Sequence, residues 1–249
     1  MSVLIKPESL PLVLYPPKEM SVLEISVSVF PSQVFRLWFP EGVSIDGHSI
    51  YSQAHLGEQD WSVDSTGSIF ESHVTETESL CVDARVLVRE NELEIQYKLK
   101  NLSSSIQRNI TPGTCYQLAK APDFLDQEGD RTYAWVNKRL ASIGLEGKRA
   151  ECHDHHDPDK SSFLSMPDKE KGIGVIGVES QSGGSTVMGW ETHIRYAGNT
   201  DPALCCLHAN PVVESLEPGG SVTLNGWLGW SLDPVALLCD KAIKALQNH

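Results

Sequence analysis

The sequence has no P-loop, no H-E-x-x-H and no G-x-S-x-G. Those spacings serve phosphate cradling, zinc-dependent proteolysis and the serine nucleophile elbow, so none of these chemistries has support. No apolar run approaches the roughly 20 residues of a membrane helix. Basic residues are scarce: 20 Lys and Arg stand against 33 Asp and Glu, a net charge of −13. That balance supplies no basic face to replace phosphate counterions, which excludes nucleic acid as a partner, and it disfavours anionic membrane surfaces. Six cysteines are present, none in a C-x-x-C pair, so a zinc ribbon and a thioredoxin motif are both absent. The first fourteen residues are interrupted by Pro7 and Pro11 and lack a basic start, which is not the pattern of a signal peptide. The expected location is cytoplasmic, with the cysteines as free, mostly buried thiols.

What is present is alternation. Leu23, Ile25, Val27 and Val29 form one period-two run. Leu80, Val82, Ala84, Val86 and Val88 form a second, and Leu93, Ile95, Tyr97 and Leu99 a third. Period two puts one face on a core and the other in solvent, as antiparallel sheets require. Residues 89–92, Arg-Glu-Asn-Glu, read as the hairpin turn between the second and third runs. Further strands are expected over 34–39, 68–74, 114–118, 132–136, 172–179, 186–192, 203–208 and 221–230, with Gly-, Pro- and Asn-rich turns between them. One helix is expected, at the C-terminus. Asp233 reads as its N-cap and Pro234 as its first residue, and Val235, Leu238, Ala242, Ala245 and Leu246 make an apolar stripe that covers a sheet end or edge. Residues 48–64 and 147–171 show no periodicity and read as irregular. No linker divides the 249 residues, so residues 1–249 are expected to form a single all-β domain.

Residues 90–101 read ENELEIQYKLKN and residues 109–118 read NITPGTCYQL. Residues 206–230 read CLHANPVVESLEPGGSVTLNGWLGW. In order and character these passages resemble the galactose mutarotase-like β-supersandwich superfamily, where a strand ending in Asn leads to a sugar-contacting segment and a functional strand precedes an L-x-P-G turn and the last long strand. The resemblance implies a large two-sheet antiparallel sandwich acting on or binding carbohydrate. Cys115 and His208 stand roughly where that family carries a His and a Glu, so its acid/base pair is not copied here.

Several residue groups are candidates for chemistry. His208 ends an apolar stretch and precedes Asn210 and Pro211, a place from which an imidazole can face a cleft and move protons. Glu191 and His193 fall on one face of an expected strand and could complete an acid/base set with it. His55, Trp61, Arg131 and Gln117 are candidates for substrate binding. Trp61 offers a flat apolar surface with a polar handle, and Arg131 a fork for a carboxylate or, equally, a structural clamp. His153, His155 and His156, interleaved with Asp154 and Asp157, carry metal-ligating side chains, or form a solvated loop. The leading expectation is a protein that binds a sugar or sugar acid, or catalyses epimerisation, mutarotation or elimination on one, with no cofactor required. The alternatives are a non-catalytic binding or assembly module, and a divalent-metal enzyme built on residues 153–157.

Overall fold

The computed structural model describes residues 12–15, 22–52, 60–136, 139–146, 148–149, 162–165, 172–200 and 205–248. In chain order the strands are β1 (Leu12–Tyr15), β2 (Leu23–Val27), β3 (Val34–Ile45), β4 (His48–Ser52), β5 (Ser62–Val63), β6 (Ile69–Glu76), β7 (Leu80–Val88), β8 (Glu92–Asn101), β9 (Gln107–Gln117) and β10 (Thr132–Val136). They continue with β11 (Arg139–Ser142), β12 (Lys148–Arg149), β13 (Ser162–Ser165), β14 (Gly174–Glu179), β15 (Ser185–Trp190), β16 (Ile194–Thr200), β17 (Cys206–Pro211), β18 (Val213–Leu216) and β19 (Ser221–Ser231). A helical turn, α1 (Ile143–Glu146), lies mid-chain, and α2 (Val235–Leu246) closes the fold.

The strands form two antiparallel sheets. One runs β1-β2-β3-β9-β17-β16-β13-β12, with β4 paired to β3 and β18 to β9. The other runs β11-β10-β14-β15-β19-β8-β7-β6-β5. This is the all-β sandwich that the alternation implied, and β7, β8 and their turn fall where the apolar runs placed them. Arg89 N–H donates to Glu92 C=O at 2.9 Å to close that turn. Residues 48–64 depart from the irregular segment expected. β4 and β5 lie there, and β12 and β13 lie within 147–171. These strands are two to five residues long, too short to show a period in sequence.

Between the sheets, Phe35, Leu37, Tyr116 and Leu207 from the first meet Tyr97, Trp190 and Trp230 from the second, all buried. Burial of this apolar surface drives the sheets together. The polar atoms that enter this core are paired. Tyr116 Oη donates to Thr186 Oγ1 at 2.9 Å and accepts Trp230 Nε1–H at 2.9 Å, while Thr186 Oγ1 donates to Gly229 C=O at 3.0 Å. Tyr116→Phe keeps the ring and strands the indole N–H, so it is expected to lower stability by about 1–3 kcal/mol, measured by denaturant unfolding.

The helix lies on the outer face of β14, β15 and β19, rather than across an end or an edge. Val235, Leu238, Cys239, Ala242 and Leu246 pack on Val175, Val187 and Trp227 to form a second apolar cluster. Gly177 permits the approach, because a Cβ there would come within 2.8 Å of the Val235 side chain. The cap differs from the sequence expectation as well. Pro234, not Asp233, is the N-cap, and the N–H of Val235 is met at 3.2 Å by Glu179 Oε1 of β14. Asp233 Oδ2 instead accepts Ser231 Oγ at 2.7 Å. No helix of the described residues is long and apolar enough to cross a membrane.

Candidate functional site

Pairing in the first sheet sets two rows of side chains side by side. Gln117 of β9 pairs with Arg36 of β3 on one flank and Cys206 of β17 on the other. Cys115 pairs in the same way with Trp38 and His208. Directly opposed residues share a face, so Arg36, Gln117, Cys206, Trp38, Cys115 and His208 form one patch across three strands. The alternate residues Leu37, Tyr116 and Leu207 fill the core, so the patch lies on the sheet's other face. Beyond His208 the register reaches Gly198 of β16, which has no side chain to crowd the imidazole.

A bulge in β3 adds a carboxylate. Trp38 pairs with Cys115 and Gly42 with Gly113, which leaves Phe39, Pro40 and Glu41 opposite Thr114 alone. Proline cannot donate to the ladder, and a bulge re-aims the residues around it. The N–H of Thr114 is met instead by Asn210 Oδ1 at 2.9 Å. Glu41 Oε2 then lies 3.7 Å from His208 Nδ1, with the glutamate side chain 31% exposed and the imidazole 6%. The floor under this bulge is a stack of rings. Phe39 lies on Tyr97 with centroids 4.2 Å apart, and Tyr97 on Trp190 at 5.2 Å, nearly parallel at 9°. Burial pushes the Tyr97 hydroxyl well above its ordinary pKa, and the nearby Glu41 carboxylate adds to the shift. Tyr97 Oη donates to Gly113 C=O at 3.0 Å.

The two thiols divide their roles. A hydrogen bond from Cys115 holds the Cys206 thiol down to about 7 against its own burial, with His208 adding to the effect. Cys115 is pushed well up, by burial first and by its bond with Cys206 second. The pair therefore holds a thiolate at Cys206 near neutral pH. Thiolate absorbance in the ultraviolet is expected to show a step with its midpoint near 7, absent in Cys206→Ser; a first step at the ordinary thiol value of about 8.5 would contradict this. Cys205, just before β17, holds a left-handed backbone with φ 47°, a conformation uncommon for a non-glycine residue. Cys115, Cys206 and Cys239 form no disulfide.

Four polar atoms in this patch are buried without a hydrogen-bond partner: Arg36 Nε, Trp38 Nε1, Gln117 Oε1 and His208 Nδ1. Arg36 Nε has the Glu24 carboxylate at 3.9 Å and His208 Nδ1 that of Glu41 at 3.7 Å, but buried polar groups are hydrogen-bonded in the great majority of cases, and four without a hydrogen bond on one patch mark it as a place for a ligand. A hollow of about 330 Å³ on the outer face of the second sheet offers a contrast. There His73 Nδ1 and Asp83 Oδ1 already pair with each other at 2.8 Å.

Of the residues singled out in sequence, His208 and Gln117 meet in this patch. Glu191 follows β15 at the end of the second sheet, where its Oε1 accepts the backbone N–H and the side-chain amide of Asn225 at 2.9 and 2.8 Å. His193 is half-buried, and its carbonyl accepts the N–H of Val212 at 3.0 Å. No hydrogen bond or ion pair joins either to His208. Arg131 directs its guanidinium to the carbonyls of Asp123, Leu125 and Glu179, which ties the loop after β9 to β14. Trp61 is half-buried against the main core. His55, His153, His155 and His156 lie outside the described residues. Sequence reasoning passed over Glu41, Arg36, Trp38 and the Cys115–Cys206 pair. The available signal was Pro40 inside a run that otherwise reads as strand.

No protein-family model matches the sequence, and no curated protein matches it. Solved structures do match in fold. The Slr1438 protein from Synechocystis sp. is 10% identical, with 90% of this chain and 93% of that one covered and a TM-score of 0.55. A galactose mutarotase related enzyme from Lactobacillus acidophilus is 9% identical over 88% of this chain and 97% of its own, with a TM-score of 0.49. A galactose mutarotase-like protein from Clostridium acetobutylicum is 9% identical over 88% and 90%, also with a TM-score of 0.49. At such identities the likeness is one of fold alone.

Proposed function

We propose that this chain acts on carbohydrate, with its site at the patch around His208, and that His208 and Glu41 move protons on a sugar bound there. One observation carries the reading. Four buried polar atoms that make no hydrogen bond, on Arg36, Trp38, Gln117 and His208, share one sheet face, with a carboxylate 3.7 Å from the imidazole. Indole and guanidinium N–H groups donate, the amide oxygen accepts and the Trp38 ring is flat, a combination suited to a ring of hydroxyls. The sequence resemblance of residues 90–101, 109–118 and 206–230 to mutarotase-like proteins supports the sugar class. The fold does not choose the reaction; the carboxylate beside the imidazole is what supports proton transfer.

An imidazole and a carboxylate in contact form an acid/base couple. In anomer exchange one group removes the proton of the anomeric hydroxyl while the other delivers a proton to the ring oxygen. The bond between the anomeric carbon and the ring oxygen then opens, and it recloses on the opposite side. Gln117, Arg36 and Trp38 would orient the ring. The test is two-dimensional exchange NMR between the α and β anomers of common hexoses and hexuronic acids. The wild-type chain is expected to exceed the buffer rate on at least one sugar, and His208→Gln to return it to the buffer rate. Contact with a sugar but no exchange would leave a binding module; neither contact nor exchange with any sugar would remove the reading.

A further inference from the structure

The same patch has a second chemistry. Cys115, Cys206 and His208 are all buried, and their donor atoms lie within 4.8 Å of one another. We infer that these three side chains form a binding site for a soft divalent metal, zinc, and that zinc and sugar compete for it.

The argument is geometric. In a tetrahedral site zinc lies about 2.3 Å from thiolate sulfur and about 2.0–2.1 Å from imidazole nitrogen, which places the donors roughly 3.6–3.8 Å apart. From a separation of at most 4.8 Å, the three need to close by no more than roughly an ångström. Small side-chain rotations supply that, since the strands carrying them are already paired, Cys115 beside His208 and Cys206 beside Gln117. The burial of His208 at 4% exposure, with no hydrogen bond to Nδ1, is independent support. A buried imidazole nitrogen without a partner costs stability, and a ligand can offset that cost. Glu41, 3.7 Å from Nδ1, stands where a carboxylate can brace a ligating imidazole or take the fourth position. Two thiolates and an imidazole select zinc over magnesium, calcium or manganese, which prefer oxygen donors.

The competition follows if His208 is the proton-transfer group proposed above, because a metal bound to the imidazole occupies the lone pair that the reaction needs. Only this second half of the inference rests on that reading.

The experiment uses the full chain, reduced and stripped with a chelator. It is expected to take one zinc per chain from a chromogenic chelator, and not to bind magnesium, calcium or manganese. With cobalt(II) as the probe, a thiolate-to-metal charge-transfer band is expected in the near ultraviolet, about half as intense in Cys206→Ser and absent in Cys115→Ser/Cys206→Ser. Circular dichroism of both variants establishes that they remain folded. Cobalt held by the histidine-rich tract at 153–157, with Cys152 beside it, would give a spectrum unchanged in Cys115→Ser/Cys206→Ser, so that result, or no binding at all in the folded wild-type chain, overturns the metal site. One equivalent of zinc is expected to stop sugar exchange, and added chelator to restore it. Stoichiometric thiolate binding that leaves exchange untouched overturns the competition. A thiolate-bound metal in a chain that exchanges no sugar retains the metal site and removes the proposed function; exchange without metal binding does the reverse.

Discussion

Replacing Trp190 by alanine is expected to lower the stability of this chain by about 3–5 kcal/mol, the range for removing a large aromatic from a close-packed core. For a domain of this size that is a drop in melting temperature of roughly 10 °C. Trp190 is fully buried, and its ring forms the base of the stack that continues through Tyr97 to Phe39. Phe39 is two residues before Glu41, so the cavity opens beneath the bulge that aims the carboxylate. The prediction therefore has two readouts. Thermal unfolding should show the stability loss, and any sugar exchange should fall at temperatures where the variant is still folded. Trp227→Ala is the control. Trp227 belongs to the separate cluster under α2, so it should cost stability while leaving exchange unchanged in the folded fraction. Equal effects of the two variants on exchange would show that the aromatic stack does not position Glu41.

Glu41→Gln is expected to reduce proton transfer at the proposed site by about 10²- to 10⁴-fold, the range for a positioned acid or base. The substitution keeps the shape and removes the charge and the proton-accepting capacity. The glutamate is partly exposed, so folding should be little affected, and urea unfolding is the check. The more telling measurement is the double variant with His208→Gln. Two groups that act as one couple are not additive, and the double loss should be close to the larger single loss. Losses that multiply would mean that the two residues act separately and that the 3.7 Å approach has no chemical meaning.

Legibility in the sequence follows the reach of the interactions. β7 and β8 were readable because each is half-exposed and long, so the alternation repeats four or five times. β14 and β15 are buried on both faces, between the main core and α2. They read as continuous apolar runs whose ends, but not whose faces, could be placed. The helix was found from its stripe, but its cap was misread, because Glu179 is 56 residues away and reaches the first turn only through the fold. The site divides in the same way. His208 stood out by its setting at the end of an apolar strand, and Gln117 by its neighbours. Glu41 did not, because Phe-Pro-Glu-Gly reads as the end of a strand, whereas β3 runs on to Ile45 through the bulge. The two cysteines were taken for free, mostly buried thiols, and Cys115 stood out only by its place in the resemblance. Only the pairing of β9 with β17, about ninety residues apart, makes them neighbours.

That pairing also determines which changes of sequence this architecture can accept over evolutionary time. Along β9, Cys115 and Gln117 serve the patch while Tyr116 serves the core. Side chains on the patch can therefore be exchanged one at a time, and a lineage can drift from one chemistry to another without disturbing Tyr116. A change in length is different. One residue gained or lost in the middle of β9 reverses the phase of the strand. The tyrosine would turn outward and the thiol and amide inward, so fold and site would fail in the same step. Relatives that keep this site should therefore vary freely in which residues line it, while insertions and deletions collect in the connections between strands.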